Sequence, residues 1–404
     1  MDKINHQKGN TPLYIKNATI YMENEKRINE SILIENGVIQ GIYNNAETLE
    51  ELPGNTKVID GTGMNVIPGF IDGHIHGAAG ADVMDATEDA LDTMASVLPQ
   101  EGTTSFLATT ITQAPENIDR ALQNVAAYEN KVGHAEILGV HLEGPFIAKE
   151  KAGAQPVQYM SAPKMDQFMH WQACADNKIK TITLAPELDE DDFISKVSKM
   201  GINVSAGHTI ATYQDMQEAV KKGVQQLTHL CNAMPGIHHR DVGPIGAMFN
   251  LEELRAELIA DGIHVSREML EIIYNNVGSK RLLLITDAMR AKCMPPGEYD
   301  LGGQTVHVTE DRAVLESRSL AGSILKMNEA AKLMLTLEDV SIPEIIEMTA
   351  INPAKQINMF DSKGSITVGK DADILIVDEH LDIKYTICNG AVAFKTSYKK
   401  SIEE

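Results

Sequence analysis

The candidate chemical groups of this 404-residue chain are histidines and carboxylates that follow directly on short apolar segments. His74 and His76 are two residues apart on a predicted extended segment, so both imidazoles point to one face and could bind one metal ion. Ordinary histidines often show this spacing, and the pair alone is a weak indication. Further candidates end or follow other apolar segments: Glu143, His208, His229, His264 and Asp287. Because apolar strands seldom end in unpartnered polar groups, the combined set predicts one shared site.

These residue types favour hydrolysis assisted by a transition metal. A mixed set of imidazoles and carboxylates suits Zn²⁺, Fe²⁺, Mn²⁺ or Co²⁺ better than Ca²⁺. Asp287 comes soon after the apolar residues LLLI and is the candidate general base, because a carboxylate beside a metal ion can take a proton from water and return it to a leaving amine. The alternative for Asp287 is an N-cap of the following helix. Its position at the last of the strand ends, opposite the histidines, favours the chemical role.

The middle of the chain alternates short apolar segments with longer helical ones, which is typical of repeated βα units around a parallel sheet. The eight candidate strands are residues 65–76, 103–110, 136–144, 181–187, 203–208, 225–230, 256–264 and 281–288. Their number predicts an α/β fold with a (β/α)8 TIM-like barrel over residues 66–360. Such barrels have their active sites at the C-terminal strand ends, where the candidate residues lie.

Both ends of the chain show the short alternating pattern of β-strands, with Asn-Gly and Gly-Thr-Gly turns between them. Residues 1–65 and 361–404 are therefore predicted to form one small β-sandwich domain. A separate insertion after the eighth barrel strand, residues 289–319, contains a predicted hairpin. We expect this insertion to lie above the barrel mouth as a lid or a pocket wall.

The composition excludes several functional classes. Lys and Arg total 35 against 57 Asp and Glu, a formal charge of -22, which argues against extended binding of nucleic acid or of an anionic membrane. An anionic small substrate would need a local cationic pocket. The start of the chain lacks the apolar segment of a signal peptide, and no apolar run is long enough to cross a bilayer, so a cytoplasmic location is expected.

The four cysteines are far apart and form no C-x-x-C pair. This spacing suggests neither a disulfide framework nor a thiolate zinc site. We expect reduced and mostly buried thiols.

The chain resembles the amidohydrolase superfamily and, within it, the N-acetylglucosamine-6-phosphate deacetylases. The resemblance runs nearly the full chain through the motifs PGFIDGHIHG, EGTTSFLATT, HLEGPF, SAGHT, THLCNAM, ADGIHV, TDAM, LAGS, NPAK and GSITVGKDAD. It implies hydrolysis of N-acetylglucosamine 6-phosphate to glucosamine 6-phosphate and acetate, with one or two divalent ions per subunit. By the same resemblance, Glu143, His208 and His229 hold the main ion, His74 and His76 form an optional second site, and Asp287 is the catalytic base.

The resemblance also implies the substrate-binding residues. They are Ala154, Asn232, Ala233, Arg240, His264, Leu320, Ala321 and Gly322. Arg240 suits a phosphate because its planar fork matches phosphate oxygens. In the family this arginine reaches the neighbouring subunit's site, which implies a homodimer. Gln155 stands where some relatives have a histidine that helps to polarise the acetyl carbonyl, so that role is open in this chain.

Two other functions stay open at the level of sequence. The same barrel could hydrolyse a cyclic amide or deaminate a base, but the fourth strand, TITLAPE, lacks the metal-bridging lysine of the hydantoinase and dihydroorotase relatives. A non-catalytic scaffold is the third possibility. Proteins of that kind typically lose ligands, whereas every candidate ligand is present here.

Overall fold

The computed structural model describes residues 9, 11–44 and 52–396. Residues 1–8 and 397–404, the outer parts of the predicted terminal β domain, lie outside the described residues, as do residues 10 and 45–51. Among the described helices, none has both the length and the apolar character needed to cross a membrane.

Eight parallel strands form one sheet, with each strand paired to its neighbours in chain order. Their bounds are Phe70–Ile75, Thr103–Thr109, Glu136–Glu143, Ile179–Leu184, Asn203–Ala206, Val224–Leu227, Arg255–Ile259 and Leu282–Ile285. Ile75, at the end of the first strand, forms a parallel bridge with Ala288, just after the eighth, and so closes the sheet into a barrel. The predicted (β/α)8 architecture is confirmed.

Helices follow the strands and pack their apolar faces on the barrel. The α-helices are Glu88–Val97, Pro115–Ala127, Met165–Cys174, Phe193–Ser198, Tyr213–Lys222, Gly243–Asn250, Arg267–Val277, Met327–Leu335, Ile342–Ile346 and Asn352–Gln356. The shorter helical segments are Val83–Asp85, Leu98–Glu101, Lys149–Lys151, Val157–Tyr159, Pro186–Leu188, Ser279–Arg281 and Glu347–Ile351.

The helix Tyr213–Lys222 illustrates the local signals. Thr212 and Asp215 form a capping box at its start, and Gly223, with φ of 118°, ends it.

The terminal strands form a second sheet that combines both ends of the chain. Its eight strands are Leu13–Tyr21, Lys26–Glu35, Val38–Asn44, Lys57–Asp60, Asn65–Pro68, Ile374–Val377, Ile383–Cys388 and Ala391–Lys395. The sheet surrounds its own apolar cluster, which includes Ile15, Ile32 and Ile374 and is separate from the barrel core. The predicted additional β domain built from both termini is therefore present.

The first predicted barrel strand, residues 65–76, is divided in the structure. Asn65–Pro68 pairs antiparallel with Ile374–Val377 in the terminal sheet, and only Phe70–Ile75 belongs to the barrel. Gly69 allows the change of sheet, because an added Cβ would lie 2.1 Å from Thr104 Oγ1. The prediction of one continuous strand was wrong, because the apolar pattern of residues 65–76 does not reveal which sheet each part joins.

The insertion after the eighth barrel strand forms a three-stranded antiparallel sheet. Its strands are Gly297–Leu301, Gln304–Val308 and Ala313–Val314. Leu301 and Val306 pack with Ile111, which follows the second barrel strand. The insertion therefore covers part of the barrel mouth, as expected. A small hairpin, Gly77–Ala78 with Ala81–Asp82, follows the first strand.

All four cysteines are free thiols. Only Cys388, at the end of the strand Ile383–Cys388, is buried, whereas Cys174 and Cys231 are half-buried and Cys293 is exposed. The expectation of mostly buried thiols was wrong, because three of the four lie at a helix end or in loops rather than in core strands.

Candidate functional site

Two imidazoles meet around one carboxylate at the C-terminal rim of the barrel. Glu143 is the last residue of the third strand, and its Oε1 lies 3.3 Å from His208 Nε2 and 3.2 Å from His229 Nε2. The two imidazole nitrogens are 3.1 Å apart. These atoms face a common centre and form one group that could hold a metal ion.

A second group shares Glu143. His74 Nε2 and His76 Nε2 are 3.3 Å apart, and His76 Nε2 lies 3.3 Å from Glu143 Oε2. Asp287 Oδ1 lies 3.3 Å from His76 Nε2 and 3.5 Å from His74 Nε2. The carboxylate of Glu143 is therefore placed between the two histidine pairs, with Asp287 beside the second pair.

The backbone takes the same unusual conformation at three of these residues. His208, His229 and Asp287 each lie two positions beyond a barrel strand and have φ values of 47°, 31° and 48°. This left-handed conformation is uncommon outside glycine and costs of order 1–3 kcal/mol at each position. Backbone hydrogen bonds support it at Asp287, whose N–H donates to His74 O at 2.9 Å and whose carbonyl accepts from Ser323 N at 2.7 Å.

The electrostatics of the two groups favour bound positive charge. Burial opposes ionisation of Glu143 and Asp287, but the nearby imidazoles hold the pKa of Glu143 well below its usual value and lower that of Asp287 to about 2. Burial likewise opposes protonation of His76, yet the two carboxylates raise its pKa to about 9. The same carboxylates, together with Glu257, raise the pKa of His74 well above its usual value against the effect of burial. A divalent cation bound here would neutralise the two carboxylates in place of protons on the histidines.

A cavity of about 360 Å³ opens above these residues. Most of the candidate site residues line it: His76, Glu143, Ala154, His208, His229, Asn232, Ala233, His264, Asp287, Leu320 and Gly322. Leu301 of the insertion also contributes to the wall. His74 and Ala321 are fully buried and lie outside the lining. The structure thus brings together nearly all of the residues chosen from sequence.

His264 is oriented at the cavity wall by a neighbouring carboxylate. Its Nδ1 lies 2.6 Å from Asp261 Oδ2, and Asp261 Oδ1 accepts from the backbone N–H groups of Ile263 and His264 at 2.8 Å each. Burial acts against ionisation of Asp261, but the hydrogen bond from His264 lowers its pKa. The ring is therefore held in one orientation.

Arg240 is not part of the cavity of its own subunit. It is exposed, and its Nη1 lies 2.9 Å from His239 Nε2 in a loop closed by a bridge between His238 and Asp241. His238 and His239 are exposed in the same loop, with their rings 4.1 Å apart.

Comparison with known proteins decides the family. The profile of the amidohydrolase family matches residues 65–395, which is most of the chain. The chain belongs to the amidohydrolase family. This amidohydrolase is 43% identical over 389 residues to an N-acetylglucosamine-6-phosphate deacetylase of Lysinibacillus sphaericus, covering 95% of this chain and 98% of the relative.

Two further relatives support the same placement. An N-acetylglucosamine-6-phosphate deacetylase of Bacillus subtilis is 44% identical over 387 residues, covering 95% of this amidohydrolase and 97% of the relative. The crystal structure of the enzyme with that name from Thermotoga maritima superimposes with a TM-score of 0.84 at 32% identity, covering 95% of this chain and all of that one.

Family membership implies a divalent metal ion, and the residues present fit one. Four imidazoles and two carboxylates converge with their ligand atoms within hydrogen-bonding distance of one another. These N and O donors match the ligand sets of first-row transition metals. Within the described residues, Glu143, His208 and His229 form one possible group, and His74, His76 and Glu143 form another.

Gln155 orients the carboxylate that both groups share. Its Nε2 donates to Glu143 Oε2 at 2.6 Å, and its Oε1 accepts from the Thr112 N–H at 2.7 Å. Sequence reasoning left the role of Gln155 open. In this amidohydrolase the side chain is buried against Glu143, and the backbone of Thr112 fixes which end of the amide faces the carboxylate.

Sequence reasoning missed two groups that hold the histidines. The carbonyl of Lys151 accepts from His208 Nδ1 at 2.8 Å, and Glu257 Oε2 lies 2.9 Å from His74 Nδ1. A lone acidic residue inside the buried strand Arg255–Ile259 was a usable signal for Glu257. No such signal existed for a backbone carbonyl. His141, by contrast, bonds Thr183 through Nε2 at 2.7 Å and does not join the ligand groups around Glu143.

Proposed function

We propose that this amidohydrolase removes the acetyl group of N-acetylglucosamine 6-phosphate, giving glucosamine 6-phosphate and acetate. The observation that carries the proposal is the shared site: His76, His208, His229, Glu143 and Asp287 line a cavity of about 360 Å³, with His74 buried beside them, in a chain 43% identical to a deacetylase of this name. A cavity of this size suits a small sugar phosphate.

Glu143, His208 and His229 are proposed to hold the main ion, which would be Zn²⁺, Fe²⁺, Mn²⁺ or Co²⁺. His74 and His76 would hold a second ion together with Glu143. A divalent cation in such a site lowers the pKa of a water ligand and polarises an amide carbonyl. The division into two groups is supported by the distances to Glu143, 3.2 and 3.3 Å from Oε1 to His229 and His208, and 3.3 Å from Oε2 to His76.

Asp287 is proposed as the general base and acid. Its Oδ1 lies 3.3 Å from His76 Nε2, beside the ligand groups, where the carboxylate would accept a proton as water attacks the acetamide carbon. The same carboxyl group then delivers that proton to the amine nitrogen as the C–N bond breaks. Because an amine is far more basic than this carboxylate, the second transfer is strongly favourable.

The sugar phosphate would contact Ala154, Asn232, Ala233, His264, Leu320 and Gly322, which line the cavity, whereas Ala321 is fully buried between the last two and would act through their backbone. Arg240 would serve the cavity of a second subunit, which makes the proposed assembly a homodimer. The exposure of Arg240 and its separation from its own cavity support this. A phosphate in a chain of formal charge -22 needs such a local cation. Because sugar phosphates do not cross membranes freely, we place the enzyme in the cytoplasm.

A substrate panel tests the proposal. Acetate release from N-acetylglucosamine 6-phosphate should exceed release from unphosphorylated N-acetylglucosamine, and ring opening of hydantoin or dihydroorotate should be at background. Faster turnover of a cyclic amide would replace the proposal with a cyclic amidohydrolase. Absence of every activity in metal-loaded protein would support the non-catalytic scaffold.

A further inference from the structure

Glu257 lies inside the barrel beneath the ligand groups and contacts both of them. It belongs to the seventh barrel strand, Arg255–Ile259, and is 2% exposed. Its Oε2 lies 2.9 Å from His74 Nδ1 and 3.3 Å from the backbone nitrogen of His229. Its Oε1 accepts from Gln226 Nε2 at 2.7 Å. All three of these contacts to the Glu257 carboxylate come from nitrogen atoms, of His74, His229 and Gln226.

This contact determines which nitrogen of His74 is free for a ligand. A neutral imidazole has one nitrogen that donates and one that accepts. Because a carboxylate only accepts, the proton of the neutral, metal-binding form of His74 lies on Nδ1, and Nε2 carries the lone pair. That Nε2 faces the second group, 3.3 Å from His76 Nε2 and 3.5 Å from Glu143 Oε1.

The main group uses the same device with a different partner. His208 Nδ1 lies 2.8 Å from the carbonyl oxygen of Lys151, which also directs its Nε2 toward Glu143. The Nδ1 atoms of His76 and His229 are buried without a hydrogen-bond partner in the structure. Each group thus contains one imidazole oriented by an acceptor. For the main group the acceptor is backbone, and for the second it is the side chain of Glu257.

Glu257 is itself held in place by a buried polar chain. Gln226, which donates to Glu257, accepts from Asn203 Nδ2 at 3.0 Å through its own Oε1. Each of these three residues is at most 4% exposed. The chain crosses three neighbouring strands and leaves the carboxylate little freedom to turn away from His74.

We propose that Glu257 is a positioning residue that sets the affinity of the His74–His76 side of the site for a second divalent cation. Carboxylates in this relation to a metal-binding histidine fix its tautomer and ring orientation, and their loss typically costs about 10- to 100-fold in metal affinity. The inference rests on the proposed function only in requiring that the site binds divalent cations.

Titration of metal-free, full-length protein with Co²⁺ in the presence of a competing chelator tests this role. Wild-type protein should bind two equivalents per chain. Glu257→Gln, which keeps the side-chain volume, should weaken one binding step about 10- to 100-fold. The other step should change less than about threefold. His76→Asn should remove the same step that Glu257→Gln weakens, which assigns it to the second group.

Glu101→Gln is the matched control, because Glu101 is 3% exposed and pairs with Lys292 away from the ligand groups. This variant should leave both steps unchanged even if its thermal midpoint falls. Three results would overturn the proposal: one equivalent only in wild type, unchanged steps in Glu257→Gln, or equal weakening of both steps. None of these readouts uses substrate, so a failure to release acetate would count against the proposed function alone.

Discussion

Gln155 Nε2 donates a hydrogen bond of 2.6 Å to Glu143 Oε2, so the shared carboxylate of the site is held by a neutral amide. Replacing Gln155 by Leu removes this bond and leaves the buried carboxylate one donor short. Hydrogen bonds to charged groups contribute about 1.5–3 kcal/mol, so we expect metal affinity to fall about 10- to 100-fold. Chelator competition measures this change.

The matched control for Gln155 is Gln172, which is also buried and also bonds backbone, through Ile179. Gln172→Leu should lower the free energy of unfolding without changing metal affinity. Wild-type metal affinity in Gln155→Leu would show that the amide does not hold Glu143 in its ligand position.

Asp287→Asn tests the proton-transfer role. The amide has nearly the same shape as the carboxylate but cannot accept a proton, so kcat should fall by at least about 100-fold, as general base catalysis contributes that much. The KM for N-acetylglucosamine 6-phosphate and the metal content should stay within a few-fold of wild type. Turnover near wild type with normal metal content would assign the base to another group.

Arg240 offers a test of the proposed dimer. Arg240→Ala should raise KM for the phosphorylated substrate and leave the slow turnover of unphosphorylated N-acetylglucosamine unchanged. If the arginine acts on the neighbouring subunit, mixed dimers of Arg240→Ala and Asp287→Asn chains contain one site with both groups intact. Refolding the two variants together should then restore roughly a quarter of wild-type activity at subsaturating substrate. No recovery above the Arg240→Ala protein would mean that the arginine does not act across subunits.

The burial of Asp82 makes the free energy of unfolding depend on pH. Burial is the main reason that its pKa rises from its usual value of 3.8 to about 6, and its Oδ2 has no hydrogen-bond partner in the structure. Between these pH values the folded state binds more protons than the unfolded state, so wild-type stability falls as pH rises from about 4 to about 6.

Asp82→Asn removes this titration. In the wild-type protein the Met84 N–H donates to Asp82 Oδ1 at 2.9 Å, and the amide oxygen of the variant can accept the same hydrogen bond. Relative to wild type, the variant should therefore gain up to about 3 kcal/mol of unfolding free energy between pH 4 and pH 6. Urea titrations across this range measure the difference. A constant gap between the two proteins would show that Asp82 titrates normally.

Much of the site was predictable from sequence because barrel geometry relates strand ends to one another. His208 and His229 lie in consecutive predicted strands, 203–208 and 225–230, and their Nε2 atoms are 3.1 Å apart in the structure. The strand-end position of Asp287 likewise predicted that it belongs to the shared site, although it lies beside His74 and His76 rather than opposite the histidines. These inferences needed only the number and order of the strands.

The remaining features depend on contacts that no local pattern contains. The division of residues 65–76 between two sheets depends on pairing of Asn65–Pro68 with Ile374–Val377, from the far end of the chain. The role of Gln155 depends on a turn that brings it to Glu143, and that of Glu257 on the direction of His74 Nδ1. Three-dimensional proximity, rather than residue type, decides such roles.

Acetate release before and after metal removal tests the central claim most directly. Purified protein should convert N-acetylglucosamine 6-phosphate to equal amounts of acetate and glucosamine 6-phosphate. Chelation followed by removal of the chelator should abolish this activity, and Zn²⁺, Fe²⁺, Mn²⁺ or Co²⁺ should restore it, whereas Ca²⁺ should not. Undiminished acetate release from protein shown to be free of metal would contradict the account.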